Sequence, residues 1–412
     1  MSSTIKTIGP GVVPLLAIAF FLNYVDRGNL ATAAPLIQDQ LHLSSSQMGF
    51  LLSAFFWSYV PAQLLGGWLA DHFNPYRTFA AALALASVAT AAAGLATGFV
   101  SLFAMRVLLG LGEAATFPCC AKLLTQNLPS RELGAANGMV GVGMALGPAF
   151  GTFFGGVLIT RFGWRAVFLT VGLASLSWLL PWQSATRHAH ANAVDANPAT
   201  PGDPGPTFAA LLRRRELWGA SLGHFCGNYA FYFVISWLPL YLVKARGLSI
   251  VEMAQLGGLI FLVYAVSAFL MGRLSDRWIA SGAGTNRVRK TMVIAAHVGM
   301  AGSLAVAAVG NVTVSVACLF LAAFSFGFFT PTLYSIGQTL AGPRAAGKWI
   351  GIQGCIANIA GIIAPIVTGF VVDISGRYYW AFVIAAAIPV VGIVGWGVLI
   401  RRVEQISWSG SV

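Results

Sequence analysis

The sequence predicts an all-α membrane protein of twelve transmembrane helices in two pseudo-symmetric six-helix bundles, and three observations predict it. Of 412 residues, 57% are hydrophobic and only 9% charged, against roughly 25% charged in soluble proteins. A chain this long cannot cover its apolar area in water with so few charges, whereas a bilayer accepts apolar side chains on the outside of every helix. Lys and Arg concentrate in alternate loops, and the two halves of the chain repeat each other in three places.

A hydrocarbon core of about 30 Å takes about 20 apolar residues per crossing. On that ruler the spans run 12–35, 47–70, 78–98, 101–124, 133–159, 165–183, 217–243, 252–273, 290–309, 312–338, 348–372 and 379–400. The first run follows Lys6 as a leader peptide would, but it contains Asp26 and Arg27 and leads into further spans, so it is expected to remain as span 1. The longest interruption holds HAHANAVDANPATPGDPGP, rich in Ala, Pro, Gly and Asn and without an apolar period. The expected organisation is therefore an N-terminal bundle over 1–183, a mobile cytoplasmic linker over 184–216 and a C-terminal bundle over 217–412.

The net charge of +12 would elsewhere point to nucleic acid; here it reports orientation. With the N-terminus in the cytoplasm, seventeen of the 24 Lys and Arg, from Lys6 and Arg77 to Arg401 and Arg402, fall inside. Only Arg161, Arg165, Lys244, Arg246 and Arg377 fall outside. This is the positive-inside pattern of an inner-membrane protein with both termini cytoplasmic. The five cysteines lie in apolar stretches and imply no disulfide framework.

GGWLADHF after span 2 returns as MGRLSDRW after span 8, aligning Asp71 with Asp276. GMALGPAFGTFFGG in span 5 corresponds to NIAGIIAPIVTG in span 11, and the loops FGWRAVF and GRYYWAF follow them. Matches in the same order imply a duplicated six-helix unit, the architecture in which a substrate is bound at mid-membrane between two rocking halves.

Four charges lie well inside spans: Asp26 and Arg27 on span 1, Arg106 and Glu113 on span 4. Lys122, nearer a span end, is free to snorkel to the interface. A charge at the centre of a lone helix costs about 2.5–3.5 kcal/mol or more, so the four are expected to share a polar cavity. With a rise of about 1.5 Å per residue, Asp26, Arg27 and Arg106 fall at one level, roughly 20 Å from the cytoplasmic side. Glu113 is two turns further along span 4 on the same face, roughly 10 Å closer to the cytoplasm.

Two internal ion pairs joining spans 1 and 4 would account for these residues structurally. The functional reading gives Arg27 or Arg106 an anionic substrate to hold and Asp26 and Glu113 protons to carry. A proton on a carboxylate would free its arginine for the anion. Asn23, Tyr24 and Asn29 flank the first pair and Tyr59 lies at mid-depth in span 2. In the second half Asn228, Tyr229, Tyr232, Trp237, Thr330, Gln338, Gln353 and Asn358 could satisfy a polyhydroxylated ligand.

His224 and His297 have no second ligand at metal-binding spacing and read as packing residues, so no metal is implied. No phosphate-binding GxxxxGK[ST] occurs, so the energy is expected to come from a gradient; the carboxylates Asp26 and Glu113 make the proton the expected coupling ion, and no other cofactor is expected. An enzyme would require a nucleophile with its base or a metal cluster, and a channel a ring of like groups. A receptor would require a soluble output domain, for which twelve spans leave no room.

GGWLADHFNPYR resembles the loop between spans 2 and 3 of the major facilitator superfamily, with Asp71 at its acidic position and Arg77 near its basic end. His72 and Asn74 depart from the basic residue and the glycine usual there. GMALGPAFG resembles the span 5 motif associated with antiporters and also found in symporters. NYVDRGNLATAAP with RVLLGLGEAATFP resembles the anion:cation symporter family, carriers of sugar acids and other organic carboxylates, over all twelve spans. The resemblance implies the major facilitator fold, protonation at Asp26 and Glu113, carboxylate binding at Arg27 and a partner charge at Arg106. It also implies that Tyr24, Tyr59 and Asn358 line a sugar-acid pocket, and that Asp71, Arg77 and Asp276 form a conformational latch.

The expectation is a monomeric transporter that imports a hexonate or hexuronate with protons by alternating access. It would interact with its small organic anion and the bilayer, not with nucleic acid. The alternative is an exchanger or a sodium-coupled carrier of a dicarboxylate or aromatic acid.

Overall fold

The computed structural model describes residues 11–127, 130–192, 206–342 and 345–408. Lys6, Arg344 and residues 193–205 of the expected linker lie outside the described residues, as do a few helical side chains including those of Asp71 and His72. The helices are α1 Val12–Gln40, α2 Ser45–His72, α3 Pro75–Ala93, α4 Phe99–Glu113, α5 Thr116–Asn127, α6 Ser130–Ser177, α7 Leu179–Asn192 and α8 Phe208–Leu212. After these come α9 Arg215–Leu240, α10 Ile250–Ala280, α11 Thr285–Val309, α12 Val312–Ala341, α13 Ala346–Asn358, α14 Ala360–Ser375 and α15 Tyr379–Val394. Where the sequence suggested a linker from residue 184, α7 continues helical to Asn192.

Among the described residues nine helical segments are long and apolar enough to cross a membrane. One of them, Met139–Arg187, contains two crossings that meet at Gly163. There φ is +78°, a conformation that glycine adopts without a Cβ penalty. With α1 and α2, 29 and 28 residues long, the crossings number twelve. Spans 4 and 11 are each built from two helices, α4 with α5 and α13 with α14.

Local chemistry places the ends. Ser44 and Gln47 form a reciprocal capping box at the start of α2. Asn74 caps α3 by accepting from the Tyr76 and Arg77 backbone N–H groups at 3.0 and 3.3 Å, with Pro75 in the first turn. An asparagine at this position, where the family motif has glycine, thus starts a helix.

The chain divides into two compact units, Met1–Pro198 with Leu238–Leu259, and Ala199–Trp237 with Ile260–Val412. The turn between α9 and α10 therefore packs with the first unit, where Lys244 pairs with Asp39. In a membrane, lipid is as apolar as a protein core, so helices associate through close packing more than through the hydrophobic effect. In the first unit α6 supplies the surface for this. Gly143, Gly147 and Gly151 recur one turn apart against Ala17, Phe21, Tyr24 and Val25 of α1, and a Cβ on Gly147 would come within 2.5 Å of Tyr24 Cβ. The Trp178 and Trp182 indoles donate to the Leu15 and Tyr76 carbonyls at 3.0 and 3.2 Å, closing one end of the same bundle.

In the second unit α9 is the most enclosed span, with 72% of its apolar window buried against 39–50% for the other eight segments. Gly223 and Gly227 on α9 admit the rings of Trp396 and Phe329 where any Cβ would collide.

Candidate functional site

Span 4 breaks directly after Glu113. Pro118 has no N–H to offer the Ala114 carbonyl four residues earlier, and its ring crowds that oxygen, so α4 stops and α5 restarts at Thr116. Thr116 Oγ1 donates to the Glu113 carbonyl at 2.6 Å, satisfying a group left at the break. Gly66 of α2 packs against Ala114 and Ala115 there, and Gly110 lies on the Phe55 carbonyl, with Ser58 Oγ donating to the Val107 carbonyl at 2.6 Å. This contact between α2 and α4 sets Phe55 and Tyr59 beside the charges.

Arg27 Nε donates to Glu113 Oε2 at 2.6 Å. The sequence placed these residues at different depths, and side-chain direction resolves the difference. Spans 1 and 4 run in opposite directions, and helical side chains lean toward their own N-terminus. Arg27 and Glu113 thus lean toward each other across the two turns that separate them. The guanidinium carbon also lies 4.7, 4.7 and 4.8 Å from the ring centroids of Tyr24, Phe55 and Tyr59. Phe55 and Tyr59 are themselves stacked at 4.8 Å. Aromatic faces attract the cation through their quadrupoles and hold its plane fixed. The Arg27 side chain keeps 16% exposure while that of Glu113 has none.

Arg106 is arranged differently from an ion pair with Asp26. Its Nη1 donates to the Asp26 backbone carbonyl at 3.3 Å, and its Nε finds no partner among the described residues. Asp26 is 2% exposed, lies in the field of Arg106 and Glu113, and faces Thr90 of α3. Asp26 Oδ1, Glu113 Oε1, Asn23 Oδ1 and both Asn29 amide atoms are buried with no hydrogen-bond partner among the described residues. Unsatisfied buried polar atoms are rare in native proteins, and six of the eleven found among the described residues lie on spans 1 and 4. Asp26, Arg27, Arg106, Glu113, Tyr24 and Tyr59 thus lie in one region of the first unit. Phe55, which touches both arginines, is the member that sequence reasoning missed. Its signal was the spacing of four residues to Tyr59.

Asn358 belongs to the second unit, at the break between α13 and α14. Its Oδ1 accepts from Tyr232 Oη at 2.8 Å, which turns the amide NH2 outward as a donor. The Trp237 indole donates to the Pro365 carbonyl at 3.2 Å and Tyr229 is 2% exposed, so both pack within the bundle. Tyr264 Oη and Thr330 Oγ1 share a hydrogen bond at 3.1 Å.

Of the expected latch residues, Arg77 is exposed in the first turn of α3, and exposed Asp276 lies in the field of Arg289 on α11. The side chain of Asp71 is outside the described residues. Lys122 reaches inward, donating to the Ala70 carbonyl of α2 at 2.6 Å.

Residues 16–353 match the family described as Major Facilitator Superfamily. The chain is 31% identical to a probable sulfoacetate transporter of Cupriavidus necator, covering 92% of this chain and 91% of that protein. It is 30% identical to a hexuronate transporter of Bacillus subtilis, with 92% of each covered. Its fold matches the crystal structure of a bacterial homolog of the human lysosomal transporter Spinster with a TM-score of 0.79, over 95% of this chain and 96% of that one at 20% identity. The chain is an integral membrane protein, a transporter and not an enzyme, and it belongs to the Major Facilitator Superfamily.

Proposed function

We propose that this transporter imports a sugar acid, a hexonate or hexuronate, together with protons by alternating access. One observation carries the reading. Arg27 is gripped by Glu113 at its Nε and clad by three aromatic rings, yet remains partly exposed. Its terminal Nη edge is the part of the fork suited to a carboxylate. A proton on Glu113 removes the charge that competes with that carboxylate for the guanidinium, which couples proton and anion without covalent chemistry.

In this reading Asp26 and Glu113 carry protons. Arg27, Arg106, Tyr24, Tyr59 and Asn358 serve the substrate, and Asp71, Arg77 and Asp276 latch the two halves, 1–183 and 217–412, about the linker 184–216. The excess of Lys and Arg in alternate loops supports a cytoplasmic-membrane location with both termini inside. A sulfonate in place of the carboxylate is the second reading, favoured by the sulfoacetate relative.

The test is uptake into proteoliposomes of D-galactonate, D-glucuronate and sulfoacetate, with an inward proton gradient, with a sodium gradient, and with neither. Proton-driven accumulation that disappears in Asp26→Asn and Glu113→Gln is expected. Accumulation driven by sodium alone, or by a proton gradient in both variants, refutes the coupling.

A further inference from the structure

His224 lies on α9 in the second unit, with Gln353 beside it. It is 5% exposed, and Gln353 of α13 beside it 1%. Trp349, one turn before Gln353 and fully buried, donates its indole N–H to Gln353 Oε1 at 3.1 Å. An indole N–H can only donate, so the amide oxygen is fixed on the tryptophan side and the NH2 faces His224 Nδ1 at 3.4 Å. That NH2 can only donate as well. Nδ1 is therefore the acceptor, and the neutral imidazole carries its proton on Nε2.

The ring is held edge-on between Phe329 and Tyr334, with centroids 6.0 and 5.9 Å away. Tyr334 is 42% exposed, and with Thr330 and Gln338 it marks the accessible polar face of α12. Among the described residues no acceptor lies within hydrogen-bonding distance of His224 Nε2. A neutral donor of fixed direction beside an accessible face is suited to an oxygen of a ligand.

We propose that His224, through its Nε2–H, is a specificity-determining hydrogen-bond donor to a hydroxyl or carboxylate oxygen of the transported acid, with Gln353 and Trp349 as positioning residues. This rests on the organic-anion reading above. A site that donates to a substrate hydroxyl discriminates against acids that lack one far more strongly than an apolar pocket senses a methylene. His224 therefore favours polyhydroxylated acids over short ones such as sulfoacetate.

The test compares wild type with His224→Phe, His224→Gln and Trp349→Phe in the full chain, reconstituted, with D-galactonate, D-glucuronate and sulfoacetate as probes. Loss of one hydrogen bond corresponds to about a tenfold rise in KM. His224→Phe is expected to show that rise for the sugar acid carried, with kcat retained and sulfoacetate unaffected. His224→Gln, whose NH2 reaches near the Nε2 position, should restore the KM. Trp349→Phe, which frees the Gln353 amide to turn, should raise KM in the same sense with kcat retained, and it tests the relay even if His224→Phe fails to fold.

Unchanged KM in His224→Phe and Trp349→Phe, or a fall in kcat alone that His224→Gln shares, overturns the proposal. If wild type takes up none of the acids, the organic-acid reading of the substrate falls, and this inference with it. If wild type does and the variants match it, this inference alone fails.

Discussion

Replacing Arg27 by Gln tests whether the arrangement around it is a coupled electrostatic unit. The substitution removes a 2.6 Å ion pair whose acidic partner has no exposure, leaving a buried carboxylate with only the field of Arg106 to offset its charge. Breaking a buried pair from one side costs about 3–5 kcal/mol. The loss of three cation–π contacts at 4.7–4.8 Å adds to this, each worth about 0.5–2 kcal/mol depending on desolvation.

Glu113→Gln in the Arg27→Gln background removes the orphaned charge and leaves two neutral amides within reach of each other. The double variant is therefore expected to recover several kcal/mol of the deficit while remaining unable to bind the acid. Denaturant unfolding of the four proteins, followed by tryptophan fluorescence, gives the coupling as a double-mutant cycle. An Arg27→Gln protein as stable as wild type, or a double variant no more stable than Arg27→Gln, would mean that the pair is not the energetic link between spans 1 and 4.

Gly110→Val should abolish folded protein, judged by monodispersity after extraction, because any Cβ there would strike the Phe55 carbonyl, which as backbone cannot turn aside. Phe55→Ala should weaken binding of the transported acid about 5- to 30-fold, the equivalent of about 1–2 kcal/mol of lost ring face, whereas Tyr59→Phe, which keeps its ring, should cost less than threefold; equal losses in a thermal-shift titration would contradict this. Tyr232→Phe releases the Asn358 amide to turn and should raise KM up to about tenfold, and an unchanged KM would remove Asn358 from the binding residues.

The twelve crossings could be read from the sequence because hydropathy and loop charge act over whole segments, and a few residues of error at an end do not alter the count. The composition of the polar cluster was legible for the same reason: a charge inside a span is conspicuous whatever it touches. Partner choice was not. Arg27 sits beside Asp26 in sequence and Arg106 at its level by helical rise, yet Arg27 takes Glu113 and Arg106 takes a backbone carbonyl. That outcome depends on the tilt of side chains toward their helix N-termini and on the break that Pro118 places after Glu113, which counting residues along a straight helix does not include. Phe55 escaped notice because an apolar ring in a span carries no compositional signal. The contact of His224 with Gln353 is equally invisible in the sequence, because the two residues lie 129 apart.

The two units divide their chemistry by kind. In the first, the four mid-span charges lie together, with buried carboxylate and amide atoms lacking partners among the described residues, and such a group changes its interactions when one proton arrives or leaves. In the second, charges stay at the span ends and the described polar groups at mid-span are neutral: amides, hydroxyls and imidazoles, with amide oxygens already claimed by Trp349 and Tyr232. Neutral donors fixed this way respond little to protonation but strongly to the direction of an acceptor. A charge-reversing substitution in the first unit should therefore change what drives transport, and an amide or imidazole substitution in the second should change what is transported. Gln353→Leu supplies the discriminating case: with kcat and the proton dependence intact, the order of preference among sugar acids and sulfoacetate should shift. A lost proton dependence with an unaltered preference would reverse the assignment of the two units.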